Sequence, residues 1–165
     1  MHAEARQFVA EQVERHGPFT FVVEIGSRDI NGGVRDLFGD ARYLGVDARP
    51  GPGVDVVADG ATLTLDDEPD CIVCCEVLEH AADPAAIVAN AISLLAPRGR
   101  LIITCATDPR APHSAFDGGP LQPAETYANI QPDDLAAWID PLVEVEIRVD
   151  DERGDLYATG RTRAR

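Results

Sequence analysis

The chain has 165 residues, 45% of them hydrophobic, and a formal net charge of −15, which supports one domain over positions 1–165 with a single core. So acidic a surface repels duplex nucleic acid, and because all 14 bases are arginine, lysine Schiff-base chemistry and a phosphate-loop lysine are excluded. No apolar stretch reaches the roughly 18 residues of a membrane span and the N-terminus carries no signal-like pattern, so no membrane association and a cytoplasmic location are expected.

Positions 2–16 place Ala5, Phe8, Val9 and Val13 at helical spacing, and Gly17-Pro18 ends the helix. Phe21–Ile25 is a short apolar run rich in β-formers, as in a strand buried on both faces of a parallel sheet. Gly26 stops it, and a loop rich in Gly, Asn and Asp runs from Ser27 to Gly33 before a short helix near 33–38. A second strand, Tyr43–Val46, terminates in Asp47, and a third, Val54–Ala58, stops at Asp59-Gly60. Cys71–Cys75 is the fourth strand. Asp83-Pro84 then opens a helix over Ala85–Leu95, and Leu101–Thr104 is the fifth strand.

Segment 106–132 breaks the pattern with Pro109, Pro112, Pro120 and Pro123 and two adjacent glycines, so it reads as a lid-like insertion. A short helix, Asp133–Ile139, and two closing strands, Val143–Val149 and Leu156–Thr159, complete the chain. Strands alternating with helices give an α/β class, a doubly wound and mostly parallel sheet with a C-terminal antiparallel hairpin. The basic tail from Arg161 reads as a solvated terminus. Cys71, Cys74, Cys75 and Cys105 lack paired metal-ligand spacing, so no metal site is expected and the thiols should be free and buried.

A glycine after the first strand lets backbone approach a ligand, and an acid at the tip of the next strand takes ribose hydroxyls. Gly26 and Asp47 therefore point to an adenosine-containing cofactor at the carboxyl edge of the sheet.

Four segments carry a resemblance. Val23-Glu-Ile-Gly26, Leu44-Gly-Val-Asp47, Val57-Ala-Asp-Gly60, and Cys74-Cys-Glu-Val-Leu-Glu-His80 with the helix-turn-strand 94–103 behind it resemble, in this order and spacing, the class I S-adenosylmethionine (SAM)-dependent methyltransferases, in particular the small type 11 branch. The resemblance implies a Rossmann-like seven-stranded sheet, SAM as cofactor and in-line methyl transfer. It also assigns roles by position. Glu24 would organise the loop and Gly26 would meet the methionine part of SAM. Asp47 would accept from the ribose hydroxyls, with Ala48 against the adenine. Asp59 would accept from the exocyclic amine beside the Gly60 amide, and Cys75 and Glu76 would border the amino-acid end. The family commonly has a second glycine two residues after the first. Here that position is Arg28, so Asn31-Gly32 would provide the tight turn instead; Ser27, Asn31 and Gly32 of this loop would line the cofactor, with Arg28 either facing its carboxylate or solvated.

His113, in the irregular segment, is the leading general-base candidate, with His80 second. Tyr127 and Asn129 are weaker substrate-facing candidates, and Phe116 a wall. The acceptor would be a small molecule or a protein or peptide side chain, and a homodimer could complete its pocket. Two alternatives stay open: a non-catalytic SAM-binding module, and a nicotinamide-dependent oxidoreductase, which the missing Gly-x-Gly-x-x-Gly disfavours.

Overall fold

Two apolar runs with no solvated face form the centre of the molecule, a computed structural model that describes residues 2–164. They are β1 (Phe21–Ile25) and β4 (Cys71–Cys75), which pair in parallel with Val23 opposite Ile72. Around them lie β2 (Arg42–Asp47), β3 (Val56–Val57), β5 (Arg100–Ala106), β6 (Val143–Asp150) and β7 (Asp155–Arg161). The order across the sheet is β3-β2-β1-β4-β5-β7-β6, and β7 runs antiparallel to both of its neighbours. Chain order reverses between β1 and β4, so a crevice opens outside their carboxyl ends, where ligands bind in open α/β sheets.

Helices cover both faces. Side chains alternate along β4: Cys71, Val73 and Cys75 join a core with Phe8 and Val9 of α1 (Ala3–His16). Ile72 and Cys74 join the other core, with Val88 of α2 (Pro84–Leu94) and Leu135 of α3 (Pro132–Trp138). The Asp83 carboxylate caps α2 by accepting from the Ala86 amide (3.0 Å), with Pro84 at the first helical position. All four cysteines are free and buried.

Several boundaries differ from expectation. The third strand shrinks to Val56–Val57: the Asp55 amide still donates to the Gly45 carbonyl (2.8 Å), but its carboxylate, paired with Arg35, takes the Gly45 amide (2.7 Å) that a strand carbonyl would otherwise receive. The helix after the glycine loop is a single 3-10 turn, Arg35–Phe38, stopped by Gly39 at φ +56°. Arg161 belongs to β7 instead of a solvated tail, held by Glu144 at 2.6 and 3.0 Å, while Arg165 lies outside the described residues.

Candidate active site

The turn that follows β1 is built by sequence-local chemistry. Gly26 takes φ +83°, and its amide and that of Ser27 both donate to the Val46 carbonyl (2.8 and 3.0 Å). Further on, the Asp29 carboxylate accepts from the Gly32 amide (2.7 Å) while Gly32 adopts φ +108°, so the tight turn expected at Asn31-Gly32 is closed by an aspartate three residues back. Asp47, at the end of β2, accepts from the Arg28 amide (3.3 Å) and the Arg49 amide (2.9 Å). Asp59 accepts from the Ala61 amide (2.9 Å).

These groups face one cleft of about 730 Å³. Its walls hold Glu24, Gly26, Ser27, Arg28, Asn31, Gly32, Asp47, Ala48, Asp59, Gly60, Cys75 and Glu76, together with His80 and His113. Every residue singled out from the sequence as cofactor-binding or catalytic therefore lines the same space. Tyr127 stands behind it, its ring edge-on to His80 and His113 with centroids 5.3 and 5.0 Å apart, and the two imidazoles are themselves 5.0 Å apart.

Arg28 has a third placement, distinct from the two expected. Its guanidinium donates to the carbonyls of Ala115 and Phe116 (3.1 and 3.0 Å), and the Phe116 ring lies 3.7 Å from the Arg49 guanidinium carbon. The side chain that replaces the family's second glycine thus ties the 107–131 loop to the loop after β1. Glu125 knits that long loop from within, accepting from the Ser114 hydroxyl and the Ala115 and Gln122 amides at 2.8–2.9 Å. Losing both charge-assisted bonds in Arg28→Ala should loosen the loop without unfolding the sheet. Limited proteolysis is expected to cut within 107–131 roughly tenfold faster in the variant, at an unchanged global melting temperature.

A second group of charges sits at the ends of β4 and β7. Glu76, at φ +56°, accepts from the Thr104 hydroxyl (2.9 Å) and lies 3.3 Å from His2 Nε2, which is also 3.4 Å from Asp155. Arg110 reaches the same Asp155, and the Tyr157 hydroxyl donates to it (2.9 Å). Burial opposes ionisation of Glu76, yet His2 and Thr104 outweigh it and hold its carboxyl below the usual range; His2 is raised by Glu76 in turn. His2 and Arg110, both on the cleft wall, had no sequence signal, since each meets its partners only through folding.

Burial dominates at two other acids. Glu24, 5% exposed with its carboxylate accepting from the Tyr43 hydroxyl (2.9 Å), is raised to about 7 because desolvation exceeds that bond. Glu79, fully buried behind His80, is raised to about 8 for the same reason. His80 is lowered, first by burial and then by the neighbouring His113.

The sign of the Glu24 effect is set by its raised folded value: the folded state holds a proton that the unfolded chain releases above about 4.5. Its contribution to stability is full below that value and is lost as the pH rises towards 7. At about 1.4 kcal/mol per unit, the loss is on the order of 3 kcal/mol between pH 4.5 and 7. Urea unfolding of Glu24→Gln should show a flatter decline across this window than the parent chain.

A family model described as a methyltransferase domain matches residues 2–140. The chain belongs to that family. The methyltransferase domain is 38% identical over 104 residues to a ubiquinone biosynthesis O-methyltransferase of Xanthomonas campestris pv. campestris, and equally to one of Xanthomonas oryzae pv. oryzae. Each match spans 58% of this chain and 42% of the relative, so the chain covers well under half the length of these proteins. Among solved structures it resembles the N-methyltransferase NodS of Bradyrhizobium japonicum in complex with S-adenosylhomocysteine (TM-score 0.67, 16% identity, 96% of this chain and 85% of that one). It also resembles the Burkholderia thailandensis 1,6-didemethyltoxoflavin-N1-methyltransferase (TM-score 0.68, 17% identity, 96% and 78%). Family and fold agree: a methyltransferase domain is built here on the Rossmann-like seven-stranded sheet of its solved neighbours. No helix among the described residues is long and apolar enough to cross a membrane.

Proposed function

We propose that this chain transfers the methyl group of SAM to an oxygen atom of a small-molecule acceptor, within the cleft over β1, β2 and β4. The observation that carries the reading is the convergence of two chemistries on one 730 Å³ space: the strand-end acids with their glycine turns, and two imidazoles. In this reading the adenine lies by Ala48 and Asp59-Gly60, and the ribose hydroxyls donate to Asp47. The methionine portion runs past Gly26 and Cys75 towards Glu76, and the 107–131 loop acts as the lid. A carboxylate that already accepts two backbone amides is held in place before the ligand arrives, which favours binding without further ordering.

Bound there, SAM would supply its sulfonium methyl for in-line attack by the acceptor oxygen. The new C–O bond forms as the C–S bond breaks, its electron pair returning to sulfur, and the acceptor's proton must be taken up. His80 and His113 are the groups placed to hold or remove it. Oxygen is favoured over nitrogen by the O-methyltransferase relatives, and a small molecule by a cleft of about 730 Å³ bordered by a knitted loop. Four buried thiols with no disulfide fit a reducing, cytoplasmic setting.

The reading is tested with methyl-labelled SAM and a panel of phenolic, catecholic, carboxylic and amine acceptors. Label is expected in hydroxylated acceptors, and its recovery only in amines would overturn the assignment to oxygen. SAM binding with no transfer to any acceptor would instead favour a non-catalytic module.

A further inference from the structure

The fully buried Glu79 has no function in the scheme above, and its two carboxylate oxygens have no hydrogen-bond partner. The amides of Glu79 and Ala106 lie near enough to favour its ionised form, but without hydrogen-bond geometry. His80 Nδ1 is likewise buried and makes no hydrogen bond among the described residues, although the Thr126 backbone lies near enough to favour the protonated ring. A partner-free carboxylate and an imidazole nitrogen side by side in a protein interior are unusual, because burial without compensation is unfavourable. His113 completes the set. One ligand atom from each of the three residues lies within 4.8 Å of the others.

We propose that Glu79, His80 and His113 bind one divalent first-row transition-metal ion, of the zinc or cobalt type, at the inner end of the cleft. Two imidazoles and one carboxylate suit such ions, whereas calcium and magnesium favour all-oxygen sets. The surroundings orient the ligands. His113 Nδ1 lies 3.2 Å from the Ala111 carbonyl, a contact that leaves Nε2 to bind. The Tyr127 ring packs edge-on against both imidazoles. The turn bearing Glu79 and His80 is pinned by the Ala128 amide donating to the Glu79 carbonyl (2.8 Å). Bonds of about 2.0–2.1 Å would bring the ligand atoms to about 3.3 Å apart, so closure on an ion requires a shift on the order of an ångström. His113, carried on the long loop, can supply it.

His80 and His113 line the cleft while Glu79 lies behind them, so an ion enters from the cleft and keeps open positions facing it. The use of the site, though not its existence, rests on the methyltransferase reading. An acceptor hydroxyl held at an open position would lose its proton to water more readily and attack as the oxyanion. His113 would then be a metal ligand, not the base.

The test is isothermal titration of Zn²⁺ into the untagged full-length protein stripped with EDTA, with the visible spectrum of the Co²⁺ form as a second readout. One ion per chain is expected, with Co²⁺ bands lacking thiolate charge transfer. The affinity should fall at least tenfold in both Glu79→Gln and His113→Ala. His113→Ala, on the long loop, serves alone if Glu79→Gln does not fold. A folded parent chain that binds no Zn²⁺, or a His113→Ala variant that binds it as the parent does, would overturn the site. SAM titrated in EDTA separates the two proposals, since each binding event can fail without the other.

Discussion

Asp47→Ala should weaken SAM binding on the order of 100-fold and leave the melting temperature within a few degrees of the parent chain. The carboxylate would accept from two ribose hydroxyls, and bonds to a charged acceptor contribute about 1.5–3 kcal/mol each, of which about 2.7 kcal/mol in total gives the hundredfold loss. Among the described residues its hydrogen-bond partners are the amides of Arg28 and Arg49, both in loops at the cleft. Truncation therefore disturbs loop order but not the sheet. Isothermal titration of SAM into both proteins measures the effect. A variant that binds SAM as the parent does would remove Asp47 from the cofactor site.

Gly26→Ala should have the larger effect on the fold. Gly26 sits at φ +83°, and a Cβ built there would lie 2.0 Å from Val77 Cγ2. The left-handed conformation costs a side chain about 1–2 kcal/mol and overpacking about 1–3 kcal/mol, so a total loss of about 2–5 kcal/mol is expected in urea unfolding. The two parts separate by a double-mutant cycle. Adding Val77→Ala should recover the overpacking share while the backbone share persists. An additive double mutant would place the whole cost in the backbone.

Legibility in the sequence followed the reach of the interactions. β1 and β4 are readable to the residue, because a strand buried on both faces needs a short, largely apolar run, which Glu24 alone interrupts. β3 was overestimated because Val54–Ala58 has strand composition, whereas Asp55 is committed to Gly45 and Arg35 from outside its own segment. The start of β5 and both ends of β7 escape the pattern because they carry Arg100, Asp155 and Arg161, polar residues satisfied by partners distant in sequence. Gln12 of α1 is buried for reasons no spacing rule supplies.

The cleft divides the same way. Glycine and acid positions at strand ends announce themselves by type and place, so Gly26, Asp47 and Asp59 were found readily. The carbonyls that Arg28 meets lie 87 and 88 positions away, and main-chain acceptors leave no trace in residue identity. Glu79 was visible as a residue but not as a buried carboxylate without partners, a property of packing alone.

In the proposed complex the cofactor's reactive sulfur would lie between the Gly26 turn and the two histidines. A crystal structure of the chain with S-adenosylhomocysteine measures this directly. The predicted result has both ribose hydroxyls within hydrogen-bond distance of Asp47, the adenine beside Asp59-Gly60, and the sulfur facing His80 and His113 beneath the 107–131 loop. A ligand with its ribose away from Asp47, or its sulfur turned from the histidines, would contradict it.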